Sequence, residues 1–230
     1  MTTSDELKRF LKRLALSRGA DLIGVAPVQR FDGAPARHRP DDMLSGAQAV
    51  VVCARRIPAA TLDGPTTAYH RAMEVAHTEL DLLANQLALY LESEGGRAVP
   101  VPSDEPYRHW EAERNYGCGD LSHRHAAQAA GLGRLGKNSL LITPQFGNRV
   151  HLGSVVTDVD LAPDPVLDWE PCPQRCTLCL DACPAGALDG QQRVDQALCR
   201  PVVMERLPKG TMIDSCRACR RACPAGLKRG

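Results

Sequence analysis

The sequence predicts a mixed α/β domain followed by a small cysteine-rich unit. Three observations carry this reading. Over residues 1–162, short apolar runs of strand character alternate with amphipathic helical stretches. Pro163, Pro165, Pro171 and Pro173 then interleave with Asp164, Asp168 and Glu170, which marks a boundary and leaves residues 163–230 as a second unit. Eight of the ten cysteines lie in that unit, from Cys172 to Cys223, and a segment so short cannot bury enough apolar surface to fold unaided. Hydrophobic content of 43% and charged content of 24% are those of a globular chain. No run approaches the ~20 apolar residues of a membrane helix, and the acidic start gives no export signal, so the expectation is a cytoplasmic protein away from membranes.

Thr3-Ser-Asp-Glu6 is a capping-box pattern, and Leu7, Phe10, Leu11 and Leu14 share one helical face until Arg18-Gly19. Residues 21–26 read as a short buried strand ended by Pro27, and residues 29–48 as loop. Residues 49–54, Ala-Val-Val-Val-Cys-Ala, are a second buried strand, with Cys53 a packed apolar side chain. From Thr66 to Glu94 runs the longest helix. Met73, Ala76, Leu80, Leu83, Leu87 and Leu91 form its apolar stripe, so Met73 belongs to the core, and Gly95-Gly96 stops the helix. Residues 97–101 make a third strand, placed at an edge by Pro100.

Residues 102–121 form a polar loop that gathers Tyr107, Trp110 and Tyr116 in a chain with few aromatics. It either lines a flat ligand or seals the core. Residues 122–130 form a short alanine-rich helix with Ser122 at its N-cap. Gly131-Leu-Gly133-Arg-Leu-Gly136 then matches G-x-G-x-x-G, with Asp158 at the spacing of the acid in a dinucleotide fingerprint. That fingerprint must follow a strand and open a helix, whereas here a helix precedes and a strand follows, so a nicotinamide site is not expected. Residues 140–143 and 149–158 read as a hairpin with a long second strand, in which Gly153 marks a bulge or the close approach of a ligand.

The cysteines read C-x3-C-x2-C-x3-C-P at Cys172, Cys176, Cys179 and Cys183, then a lone Cys199, then C-x2-C-x3-C-P at Cys216, Cys219 and Cys223. Eight thiolates are the number that two [4Fe–4S] cubanes require. In bacterial ferredoxin-type runs the cysteine before proline crosses to the other cluster. The expected ligand sets are therefore Cys172, Cys176, Cys179 and Cys223 for one cluster, and Cys183, Cys199, Cys216 and Cys219 for the other. Cys172 departs from the usual run, because three residues rather than two separate it from Cys176. Zinc knuckles would use paired C-x2-C spacing, and disulfides would need an oxidising compartment.

Charge is uneven. Residues 199–230 carry eight Lys or Arg against Glu205 and Asp214, a net of +6, which leaves −5 for the rest of a chain with formal net charge +1. A basic tail can bind nucleic acid, but beside anionic thiolate clusters its expected roles are to offset their charge and to receive an acidic electron donor of the ferredoxin or flavodoxin type.

The stretch SHRHAAQAAGLGRLGKNSLLITPQFGNRVHLGSVVTD (122–158), followed by the double cysteine motif, resembles the superfamily of epoxyqueuosine reductases and corrinoid reductive dehalogenases; LKRLALSRGADLIGVAP (11–27) and AVVVCA are similar more weakly. The resemblance implies a nitroreductase-like α/β domain that binds cobalamin, next to a ferredoxin-like domain passing electrons through two clusters to the cobalt. It implies that the loop with Gly131, Gly133, Gly136 and Asn138, and the segment with Leu141, Thr143, Gly147 and Arg149, lie against the corrin and its tail. It places Asp104 near the proton-donor aspartate of the tRNA-modifying enzymes, although Asp104-Glu-Pro106 is one residue short of D-x-x-P. Tyr107 or Tyr116 would then serve, as a tyrosine does in the dehalogenases. The helical-repeat tail of the tRNA enzymes is not expected seven residues after Cys223. Three readings stay open: a cobalamin-linked reductase or reductive activator of a partner corrinoid protein, a ferredoxin-like electron carrier without cobalamin, and a truncated epoxyqueuosine reductase.

Overall fold

In the computed structural model, which describes residues 3–227, the first part of the chain contains α1 (Ser4–Ser17), β1 (Leu22–Pro27), α2 (Pro40–Met43), β2 (Ala49–Arg56), α3 (Thr66–Ser93), β3 (Ala98–Val101), β4 (His109–Glu111), β5 (Tyr116–Cys118), α4 (His123–Ala129), β6 (Arg134–Leu135), β7 (Leu141–Ile142) and β8 (Val150–Thr157). The second part contains α5 (Leu178–Asp181), α6 (Gln196–Val203), β9 (Met204–Arg206), β10 (Met212–Asp214) and α7 (Ala218–Arg221). Lys228 and Arg229 of the basic tail lie outside the described residues.

The organising layer is an antiparallel sheet in the order β1-β2-β8-β3. β2 is apolar without alternation because both of its faces are covered. Ala49, Val51 and Cys53 pack under α1 and α3, whereas Val50, Val52 and Ala54 pack under α4. Burial alone pushes the Cys53 thiol up to about 12, so it stays a neutral core group. Pro100 confines β3 to the edge, since proline has no N–H for a second ladder.

α1 begins with the full capping box. The Thr3 hydroxyl accepts from the Glu6 amide, and the Glu6 carboxylate accepts from Thr3 N. α3 buries Met73, Ala76, Leu80, Leu83, Leu87 and Leu91 as its periodicity requires, and it stops where Gly95 takes φ +91°. Each such leucine contributes about 1.5–3 kcal/mol by leaving water. The stretch 29–48 is not loop throughout, because Pro40 starts the single turn of α2.

The expected hairpin between residues 140–143 and 149–158 does not form. β7 pairs with β6, and β8 pairs along its whole length with β2 and, over residues 154–157, with β3. Thr143 and Gly147 instead exchange backbone hydrogen bonds across a tight turn in which Gly147 has φ +58°. Gly153 marks no bulge. A Cβ there would lie 3.1 Å from Leu80 Cβ, so the close approach is that of α3.

The linker is stitched to the first part through Asp164. Its carboxylate accepts from Lys12 Nζ at 2.7 Å and from Val25 N at 2.9 Å, and its own amide donates to Val25 O. The cysteine-rich part is fastened by arginines. Arg217 donates to the carbonyls of Leu62 and Gly64, Arg221 pairs with Asp63 at 2.7 Å, and buried Arg220 donates to the carbonyls of Asn148 and Val150. Among the described residues no helix is long and apolar enough to cross a membrane.

Candidate metal centre

The two cysteine runs fold as copies of one another. Cys179 sits in α5 and Cys219 in α7, two four-residue helices that pack together and start from similar backbone, φ −124° at Thr177 and φ −135° at Arg217. Each short helix follows a cysteine and precedes a Cys-Pro.

The thiols face one another in two sets of four. Burial raises the pKa of Cys179, and the neighbouring thiols of Cys172, Cys223 and Cys176 raise it further. Burial pushes Cys219 up to about 11, with Cys216, Cys199 and Cys183 adding to the rise and Arg220 opposing it. Cys199 is raised by burial and then by Cys216 and Cys183. Each set thus includes the cysteine that precedes proline in the other run. Four thiolates crowded in this way repel unless a cationic centre lies among them.

All four cysteines of the first set, with Lys137, Asn138 and Ile142, line a small cavity of about 20 Å³. Among the described residues no group of three His, Cys, Asp or Glu stands as a site for a single metal ion.

The loop after Gly136 walls this region. Lys137 N donates to Cys172 Sγ at 3.4 Å, and Lys137 Nζ donates to the carbonyls of Gln174 at 2.8 Å and Cys176 at 2.9 Å. Asn148 Nδ2 donates to Arg220 O at 3.2 Å. Neither Lys137 nor Asn148 is singled out by the sequence, although the Gly136-Lys-Asn138 step was the available signal. The glycines of the loop answer to protein contacts. A Cβ on Gly131 would lie 2.1 Å from Pro165 O, one on Gly133 2.3 Å from Ile142 O, and one on Gly136 2.4 Å from Ile142 Cδ1. Asn138, Leu141 and Thr143 are buried in the same wall. Arg149 lies on its far side with Phe146, lining a cleft of about 970 Å³ beside Arg55 and Arg56.

A second cleft, about 890 Å³, opens between Phe31, Tyr116, Leu121, Arg124, Val166 and Gln196. Gly33 and Gly119 line it with no side chain, and a Cβ at Gly33 would meet nothing within 4 Å.

No family model matches this chain. The epoxyqueuosine reductase of Bacillus anthracis is 36% identical over 115 residues, covering 46% of this chain and 30% of its own. That of Bacillus subtilis is 26% identical over an alignment of 266 positions, covering 95% of this chain and 63% of its own. That of Staphylococcus aureus is 30% identical over 158 residues, covering 64% and 38%. The matched regions therefore span from about a third to somewhat under two thirds of these relatives. Among solved structures, an epoxyqueuosine reductase with a tRNA stem loop superposes with a TM-score of 0.70 at 24% identity over 98% of this chain and 67% of its own. A catabolic reductive dehalogenase superposes at 0.73 with 18% identity, over 98% and 32%.

This chain is similar to the epoxyqueuosine reductases. It shares their fold and that of the reductive dehalogenases. One Bacillus subtilis epoxyqueuosine reductase structure has an aspartate catalytic loop swung out of its active site. In this chain the loop that carries Asp104 packs against the cysteine-rich part. The Tyr107 and Trp110 rings stack at 5.8 Å, and the Arg200 guanidinium lies 4.8 and 5.0 Å from their centroids. Tyr107 Oη donates to Asp104 Oδ1 at 3.3 Å, and burial, its largest influence, raises the Tyr107 pKa. Asp104 and Tyr107 are therefore brought together. Tyr116 is not part of that pair; it lies in the second cleft with Arg114 over its ring.

Proposed function

We propose that this chain is an iron–sulfur oxidoreductase built from a nitroreductase-like domain and a ferredoxin-like domain. Cys172, Cys176, Cys179 and Cys223 would hold one [4Fe–4S] cluster, and Cys183, Cys199, Cys216 and Cys219 the other. The observation that carries this reading is the crossed pair of thiol quartets, each assembled from both runs. Quartets of mutually repelling thiols suit a multinuclear cationic core. Ala187 N, which donates to Cys183 Sγ at 3.4 Å, and Lys137 N on Cys172 would raise the potentials. Buried Arg220, which favours the Cys219 thiolate, acts in the same direction.

The second cleft is the proposed cobalamin site. Its side-chain-free rim at Gly33 and Gly119 leaves room for a flat macrocycle, and Gln196 on its wall belongs to α6, the helix that carries Cys199. Bound there, cobalamin would supply a strongly reducing and nucleophilic metal. Asp104 and Tyr107 line an adjoining pocket that shares Gly119 and Leu121 with the cleft, and from there they would hold and deliver the proton, while Arg200 would keep their loop against α6 and a low-potential carrier of the ferredoxin or flavodoxin type would supply electrons. The similarity to epoxyqueuosine reductases favours a modified nucleoside in tRNA as a second substrate reading beside a small molecule or a partner corrinoid protein.

The test is an anaerobic absorption spectrum with iron and sulfide counts, before and after hydroxocobalamin. Iron near eight per chain with a base-off cobalamin spectrum supports the whole reading. Iron near eight with unchanged cobalamin leaves an electron carrier, and lack of tRNA binding at moderate salt removes the nucleoside reading.

A further inference from the structure

Four of the seven histidines meet where α3, residues 102–104, β8 and β10 come together. His77 Nε2 and His151 Nδ1 are 2.8 Å apart, so one of the two nitrogens carries a shared proton. His77 Nδ1 faces Asp104 Oδ2 at 3.4 Å, and Asp104 is about half-exposed. His151 lies at the other end of this line, half-buried, with its Nε2 shielded from solvent and without a hydrogen-bond partner. Asn148 Oδ1 is the other buried side-chain atom without a partner among the described residues, and its amide group holds Arg220. The line thus runs from solvent at Asp104 to an unsatisfied ring nitrogen in the interior.

Arg220 joins that inner end to the cysteines. Its charge, after burial, holds His151 well below the ordinary histidine range, and the same charge favours the Cys219 thiolate. The remaining charged neighbours are Asp81, His123 and Asp214 around His77, His70 paired with Asp214, and Arg55 across the β2–β8 ladder from His151. Arg55 is itself neutralised by Glu79 and Asp21.

We propose that the His77–His151 pair takes up one proton from solvent, through Asp104, when the centre bounded by Cys183, Cys199, Cys216 and Cys219 accepts one electron. The inference rests on the cluster reading above. The electron comes from the low-potential one-electron donor and stays on the cluster. The proton comes from water at Asp104 and passes to His77 Nδ1. The shared proton shifts toward His151, so the pair ends with three ring protons instead of two, and no bond to the cluster is made or broken. Negative charge added beyond Arg220 weakens the push of the guanidinium on His151, which is why uptake follows reduction.

The experiment is an anaerobic potentiometric titration of the reconstituted protein, followed by electron paramagnetic resonance from about pH 6 to 8.5. One of the two cluster potentials is expected to fall by ~59 mV for each tenfold drop in proton activity while the other stays flat. His77→Gln, which keeps a donor toward His151 but cannot be protonated, is expected to flatten that slope at unchanged iron and sulfide content. Reduction of wild-type protein labelled with ring-13C histidine should also show imidazolium bands in the infrared difference spectrum, a readout that does not depend on the variant loading its clusters. Full iron content with two flat potentials, an unchanged slope in His77→Gln, or a difference spectrum without histidine bands overturns the proposal while leaving the clusters standing. Absence of iron removes both.

Discussion

Gln196 grips Gly117 by both backbone groups, its Oε1 accepting from the amide and its Nε2 donating to the carbonyl, each at 3.0 Å. This two-point clasp fixes the β4–β5 hairpin to α6, the helix that carries Cys199. It makes the position of the Asp104 loop depend on the cysteine-rich part.

Replacing Gln196 with Ala should release that hairpin. Two hydrogen bonds of about 0.5–1.5 kcal/mol each are lost, so amide exchange over residues 109–118 should speed up by about one to two orders of magnitude, with iron content unchanged. Exchange mass spectrometry reads this directly, and an unaltered rate would mean that the Arg200 stack alone holds the loop.

Ligand crossing can be tested with pairs of serine variants. Cys179→Ser combined with Cys223→Ser should cost about one cluster, because both thiols belong to one quartet. Cys179→Ser combined with Cys183→Ser should cost both, although these residues are four apart in one run. Iron analysis after reconstitution separates this from an uncrossed arrangement, in which the two outcomes trade places.

Glycines 133 and 33 should part company. Gly133→Ala drives a methyl group against the Ile142 carbonyl and should lower the melting temperature with or without cobalamin. Gly33→Ala meets nothing in the protein, so it should leave the melting temperature alone and weaken cobalamin binding by crowding the cleft. If cobalamin affinity is the same in Gly33→Ala as in wild type, the corrin does not lie on that rim.

Alkali should destabilise the cluster-free chain before it harms the loaded one. The Cys219 pKa rises on folding from 9.0 to about 11, and that of Cys53 from 9.0 to about 12. Groups raised in this way favour the fold fully below their unfolded value, and that contribution is lost as pH climbs through the folded one. Urea midpoints of the cluster-free protein should therefore drop between about pH 9 and 12, and Cys53→Ala should roughly halve the slope between pH 9 and 11 and abolish the drop above it.

Much of the architecture was legible because long patterns average out local ambiguity. Six apolar positions spaced through α3 leave no alternative to a helix, and an unbroken run such as residues 49–54 has to be covered on both faces. The hairpin failed because strand pairing is a competition, and β8 found better partners in β2 and β3. The Gly131 loop shows a related limit. Glycine reports that something approaches closely, and sequence does not say whether the visitor is Pro165, Ile142 or a cofactor. His77 and His151 are 74 residues apart with no shared motif, so only the packing of α3 on β8 reveals them as a pair.

The exchange of one cysteine between the two runs also sets an order of manufacture. Both quartets draw on residues 216–223, so neither surrounds its centre until that stretch has been synthesised and folded back beneath Lys137 and Asn148. Iron delivered to a nascent chain would find only partial coordination shells. If the proposed ligand sets hold, completion of the inorganic core would be a proofreading step for the polypeptide, since a chain that has not closed its second run would hold neither proposed cluster.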